Sequence, residues 1–125
     1  MAKRIRTHLM FEGKAEEAMN FYVSLFDSAE IGDVQKYENG TIMQAELNLG
    51  GHELIVIDSP INHDFTFTAA TSIFVDCESE AELDKLFEAL GQDGNVFMPL
   101  ADYGFSQKFG WVSDRFGVSW QLNLP

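Results

Sequence analysis

One order of elements occurs twice in this chain, and it constrains the fold more than any other feature. The segment "RIRTHLMFEG" reads as a strand ending at Gly13. In "KAEEAMNFYVSLF", which follows, Ala15, Ala18, Met19, Tyr22 and Phe26 recur at helical spacing. "DSAEIGD" breaks that period, and "VQKYENG" reads as a strand entering an Asn-Gly turn. "TIMQAELNL", "GG" and "HELIVIDS" then read as strand, tight turn and strand, and "SPINHDFTFT" as a polar linker. The order now restarts with the strand "TSIFVDC". A capping box, Ser79 with Glu82 three residues on, opens a helix whose apolar stripe is Leu83, Leu86, Phe87 and Leu90; Gly91 closes it. "NVFMPL", "FSQKFGWV" and "VSWQLNL" are the closing strands, the last two joined through "SDRFG". Two βαβββ modules, about 1–60 and about 68–125 of a single 1–125 domain, predict an α+β fold, a concave mixed sheet with the helices outside.

Register assigns the residues of that concave face. With Gly50-Gly51 as a two-residue turn, Leu49 pairs with His52, Asn48 with Glu53, Glu46 with Ile55 and Gln44 with Ile57. Met43, Ala45, Leu47, Leu54 and Val56 then face a helix, while Gln44, Glu46, Asn48, Glu53, Ile55 and Ile57 face the concavity. Slipping the hairpin by one residue would reverse every one of these assignments. In the second module Ile73, Val75, Val118, Trp120 and Leu122 belong to the core. Ser72, Phe74 and Asp76 line the cavity, as do Ser119, Gln121 and Asn123.

Charge narrows the partners. Eight basic residues against twenty acidic ones give a net charge of -12, which argues against nucleic acid, whose phosphates need clustered Lys and Arg. The "KRIR" start reads as a solvated terminus, and "MAKRIRTHLMF" lacks the apolar core of a secretory signal. No stretch approaches the roughly 18 apolar residues of a membrane span, so no membrane partner is expected. The single Cys77 fits a reducing, cytoplasmic interior and reads as a strand residue on the helix side.

Three stretches carry a family resemblance. "FEGKAEEAMNFYVSLF", "VFMPLADYGFSQKFGWV" and "DRFGVSWQLN" resemble the PhnB-like, 3-demethylubiquinone 3-methyltransferase-like branch of the vicinal oxygen chelate superfamily. That superfamily includes glyoxalase I, fosfomycin- and bleomycin-resistance proteins and extradiol dioxygenases. The resemblance implies paired βαβββ modules, a homodimer, and a small ligand on the concave face. It also implies four strand positions at which the metal enzymes carry His or Glu. Here those positions hold Thr7, Ile55, Ser72 and Gln121. Ile55 has no donor and the other three are neutral, whereas Zn, Ni, Mn and Fe sites need imidazole, thiolate or carboxylate. No metal and no cofactor are therefore expected. A methyltransferase activity is not expected either, because the chain has no glycine-rich βαβ start to hold a nucleotide cofactor.

The remaining candidates are weighed residue by residue. Glu46, between Gln44 and Asn48 and opposite Ile55, is the carboxylate expected inside the concavity and the candidate general base. Thr7, Gln44, Asn48, Ile55, Ser72, Phe74, Phe105, Trp111 and Gln121 are the candidate substrate-binding residues. Phe105 is included because "ADYGFSQKFG" is a glycine-containing connection of the kind that covers pockets. His8, next to Thr7, reads as a sheet or surface histidine, and His52 and His63 as surface residues; no pair has ligand spacing. The leading expectation is a metal-free, dimeric protein that binds or sequesters a small neutral or cationic organic molecule. The alternative is a lyase- or isomerase-type enzyme, with or without a divalent metal, with Glu46 as base, and Gln44, Ser72 and Gln121 orienting the substrate.

Overall fold

In a computed structural model that describes residues 2–125, the chain divides into two compact units, Met1–His63 and Asp64–Pro125. The first unit contains β1 (Thr7–Phe11), α1 (Ala15–Leu25), β2 (Ala29–Lys36), β3 (Ile42–Leu49) and β4 (His52–Asp58). Its sheet runs β1-β4-β3-β2, with β1 parallel to β4 and the other pairs antiparallel. The β3–β4 register is the one expected from the glycine turn: Leu49 opposite His52, Asn48 opposite Glu53 and Glu46 opposite Ile55. Gly50 and Gly51 both take the positive φ that such a hairpin turn requires. Leu9, Phe11, Ala45, Leu47, Leu54 and Val56 are buried together with Ala15, Ala18, Met19 and Tyr22 of α1, which packs on the sheet.

Two expectations for this unit need correction. Met43 is not on the helix side: it is 42% exposed, and Ile42 is buried in its place. The register of β2 on β3 shifts between Gln35 and Lys36, so the alternation slips at the start of β3. "DSAEIGD", read as a break, mostly belongs to β2, which begins at Ala29. β2 is an edge strand with a second irregularity between Ile31 and Val34, and its ladder on β3 holds it without an apolar stripe.

Asp58 fastens the unit. Its Oδ1 accepts from the amides of Gly13 (2.8 Å) and Ala15 (3.0 Å), and Oδ2 from that of Ile42 (2.9 Å). A buried carboxylate thus joins the start of α1 to the start of β3.

The second unit repeats the order with β5 (Ser72–Asp76), α2 (Glu80–Gly91), β6 (Asn95–Ala101), β7 (Lys108–Ser113) and β8 (Ser119–Leu124). Its sheet runs β5-β8-β7-β6, with β5 parallel to β8. Ser79 caps α2 by accepting from the Glu82 amide, while Glu82 reaches back to the amide of Glu78. Gly91 is the last helical residue, and the left-handed position falls instead at Asp93, φ 60°. Leu83, Leu86 and Leu90 bury against Val112, Trp120 and Leu122. Asp114 anchors the β7–β8 turn, taking the amides of Phe116 and Val118 on Oδ1 and the indole N–H of Trp120 on Oδ2 at 2.9 Å. α2 crosses β7 at Gly110, where a Cβ would lie 2.7 Å from the Phe87 ring and 2.8 Å from Leu100. No helix of the described residues is long and apolar enough to cross a membrane.

Candidate functional site

In the second unit, period two along β8 sends Trp120 and Leu122 into the core and leaves Ser119, Gln121 and Asn123 on the opposite face. The ladders then set three rows across that face. Ser119 lies between Ser72 and Ser113, Gln121 between Phe74 and Trp111, and Asn123 between Asp76 and Phe109. The polar members are connected. Trp111 Nε1 donates to Ser119 Oγ at 2.8 Å, the hydroxyls of Ser119 and Ser72 are hydrogen-bonded to each other at 2.6 Å, and Gln121 Nε2 donates to Ser72 Oγ at 3.3 Å. Asn123 Nδ2 donates to Asp76 Oδ1 at 2.9 Å.

Aromatic rings border this network. Phe97 meets Trp111 at 5.1 Å between centroids, and Phe109 meets Phe105 at 5.0 Å, Tyr103 at 6.1 Å and Phe74 at 6.3 Å. Phe74 and Phe105 remain 53% and 62% exposed, large values for rings. Phe105 and Tyr103 belong to the connection 102–107, where the Tyr103 hydroxyl donates to Pro99 O and the Gly104 amide to Asp102 Oδ1. The site thus offers hydroxyls, amides and ring faces.

The first unit holds the other candidates. Its helix-free face carries Gln44, Glu46, Asn48 and Ile55 by register. Glu46 is more engaged than sequence suggests. Its Oε2 takes Arg4 Nη2 at 3.3 Å and Arg6 Nη1 at 3.5 Å, and its Oε1 takes the Asp33 amide at 3.3 Å. Arg4 Nε also donates to Glu53 Oε2 at 2.7 Å, which holds that carboxyl below its ordinary range and the guanidinium above its own. These groups, with Glu30 and Asn48, line a hollow of about 170 Å³. Asn48 Oδ1 is already used, accepting the Gly51 amide at 2.7 Å. Gln44 is exposed and Ile55 half-buried.

Thr7 is displaced from the expected face. It pairs with Leu54 and so sits on the helix side with Leu9 and Phe11, where Oγ1 lies 3.4 Å from His52 Nε2. His8, paired with Ile55, takes the helix-free face instead. Ser72, Phe74, Trp111 and Gln121 come together, with Phe105 reaching the same cluster through Phe109. Alternation put Ser119 and Asn123 on the cavity face with Gln121, but neither was among the candidate binding residues. Sequence reasoning also passed over Arg4 and Arg6, whose spacing of two continues that of His8. Cys77 is buried, and burial above all, with Glu82 and Asp76 nearby, pushes its thiol up to about 12.

Among the described residues, no three His, Cys, Asp or Glu side chains gather in a way that could hold a metal ion. Residues 3–123 match the family described as 3-demethylubiquinone-9 3-methyltransferase. The chain belongs to that family. The putative 3-demethylubiquinone-9 3-methyltransferase, PhnB protein, of Bacillus cereus is 53% identical with a TM-score of 0.95, over 98% of this chain and all of that one. Protein PA1353 of Pseudomonas aeruginosa is 28% identical with a TM-score of 0.84, over 98% of both chains. The fold extends to the E126Q mutant of FosX from Listeria monocytogenes, a fosfomycin resistance protein complexed with Mn(II) and 1S,2S-dihydroxypropylphosphonic acid. There the TM-score is 0.67 and the identity 11%, over 100% of this chain and 94% of that one. This is the two-module fold of the vicinal oxygen chelate superfamily.

The methyltransferase in the family's description does not fit the residues present. A nucleotide-type methyl donor is held where a glycine-rich turn opens a helix N-terminus beside parallel strands. Here the Asp58 carboxylate takes the amides of Gly13 and Ala15 at the start of α1, and before and within the first turn of α2 the amides of Glu78 and Glu82 go to Glu82 and Ser79. A carboxylate at the start of α1 and a Ser79–Glu82 capping box at the start of α2 stand where such a group would need a glycine-rich turn.

Proposed function

We propose that this PhnB-like protein binds a small, neutral or cationic organic molecule without a metal, in the cup formed by the helix-free face of the second unit. The observation that carries this reading is the connected cluster of Ser72, Ser119, Trp111 and Gln121 bordered by exposed aromatic surface. Apolar walls supply contact area and a few fixed polar groups supply orientation, the usual division of labour in a small-molecule site. Neutral oxygens at Ser72 and Gln121 are poor ligands for a transition metal but good partners for amides, hydroxyls and ammonium groups. The net charge of -12 and the Asp76 carboxylate at the edge of the face disfavour anions.

A homodimer and a cytoplasmic location belong to the same reading. Val96, Phe97, Phe74 and Phe105 are large apolar side chains left exposed on the second unit, and a single buried thiol fits a reducing compartment.

The test is a calorimetric titration of chelator-treated protein with benzamide, benzamidinium and benzoate. The neutral and cationic compounds are expected to bind saturably, and benzoate at least tenfold more weakly, about 1.4 kcal/mol. Phe105→Ala is expected to lower affinity about fivefold, about 1 kcal/mol, without changing the unfolding temperature. Absence of binding by all three, or equal binding of benzoate, would overturn the reading.

The alternative, a lyase- or isomerase-type enzyme with Glu46 as base, draws on the hollow that Glu46 shares with Arg4 and Arg6. Those guanidiniums and the Asp33 amide already engage the Glu46 carboxylate, so a substrate would compete with them for it. A Glu46→Gln variant with unaltered turnover of any substrate found for the protein would remove that reading.

A further inference from the structure

We propose that Asn123 gives the cup a requirement for a hydrogen-bond donor: its Oδ1 receives an N–H or O–H of the ligand, whose ring lies against Phe109 and Phe105. The inference rests on the cup reading above and adds what the ligand must carry.

Asn123 is 8% exposed, and among the described residues its Oδ1 is the buried side-chain polar atom with no hydrogen-bond partner. The amide cannot escape by turning over. Nδ2 donates to Asp76 Oδ1 at 2.9 Å, and reversal would set an amide oxygen against a carboxylate oxygen. The orientation of the orphan acceptor is thus fixed by its neighbour. A buried acceptor left without a donor is costly, which is why native structures contain few of them. Elsewhere on this face the polar groups satisfy one another, through Trp111 to Ser119, Ser119 to Ser72 and Gln121 to Ser72.

What borders Asn123 indicates what brings the donor. In register beside it stands Phe109, only 4% exposed because Phe105 and Tyr103 cover its ring. The covering rings come from the connection 102–107, and Phe105 is itself 62% exposed, so little packing holds it in place. A planar molecule that parts Phe105 from Phe109 and stacks between them keeps a ring contact on each side and brings its edge to Asn123. Its donor must be neutral or cationic, since Asp76 lies next to the acceptor. The chemical class is therefore a phenol, an anilide or an aromatic amine, and an ether of the same shape is excluded.

Phenol and anisole differ in that one donor and serve as the probes. Each is titrated into chelator-treated protein while the side-chain amide resonances of Gln121 and Asn123 are followed by NMR. Phenol is expected to bind at least tenfold more tightly than anisole, and Asn123→Leu to abolish the difference while anisole still binds. Should that variant fail to fold, the native protein still decides, because the Asn123 amide must shift with phenol and not with anisole. Equal affinities in the native protein, or a phenol preference that survives Asn123→Leu, would overturn the role of Asn123 and leave the cup intact. Failure of both probes to bind would overturn the cup itself and the inference with it.

Discussion

At the scale of single residues, three groups have consequences that can be measured. The Cys77 thiol, pushed up to about 12 by burial, stays protonated in the folded state while an unfolded thiol ionises near 9.0. Between those values the unfolded state loses a proton that the folded state keeps, so stability falls as pH rises from about 9 to about 12. Cys77→Ala is expected to remove that part of the alkaline decline, seen in urea unfolding at several pH values. In the native protein Cys77 is expected to resist a disulfide reagent at pH 8 and to react on unfolding. Glu53 works in the opposite direction. Arg4 holds its carboxyl below 4.5, so the contribution of the pair is present above 4.5 and is lost as pH falls through the folded value. It is exposed and its effect small. Asp58 is the residue with the largest structural consequence. Asp58→Ala leaves three backbone amides without their acceptor and is expected to cost about 3 kcal/mol in chemical unfolding. None of these roles is legible in sequence, because burial and partner geometry come from contacts between distant segments. Thr7 shows the same limit: counting along the chain placed it one residue away from the face that His8 occupies.

At the scale of elements, period and turn chemistry carried much of the information. Gly50-Gly51 set the β3–β4 register, and that register put Glu46 opposite Ile55. Alternation along β8 was enough to separate Trp120 and Leu122 from Ser119, Gln121 and Asn123, since a strand with one buried face cannot slip by a residue. β2 was less legible because an edge strand needs no apolar stripe, and the irregular pairing at Gln35 and Lys36 turned Met43 outward. One close approach supplies a prediction at this scale. Gly110 lets α2 lie directly on β7, so Gly110→Ala must push the Phe87 ring and Leu100 aside and is expected to destabilise by about 2 kcal/mol. Adding Phe87→Leu should recover part of that loss in the same unfolding assay, because the smaller side chain makes room for the methyl.

At the scale of the whole molecule, the repeated strand–helix–three-strand order made the two-module fold legible, and the element order of the structure and its likeness to FosX agree with it. The chemistry was harder to read. Ser72 and Gln121 lie far apart in the sequence, and only the hydrogen bonds show them joined to Ser119 and Trp111 in one network. Arg4 and Arg6, which looked like a solvated terminus, instead engage Glu46 and Glu53. The central claim is that the cup works without metal, and thermal unfolding of chelator-treated protein tests it most directly. A ligand that binds only the folded state raises the unfolding temperature in proportion to its occupancy. Benzamidinium is expected to raise it with increasing concentration, while Mn, Ni, Co and Zn leave it unchanged. A saturable rise with one of those metals, lost in Gln121→Ala or Ser72→Ala, together with no response to benzamidinium unless that metal is present, would contradict the claim.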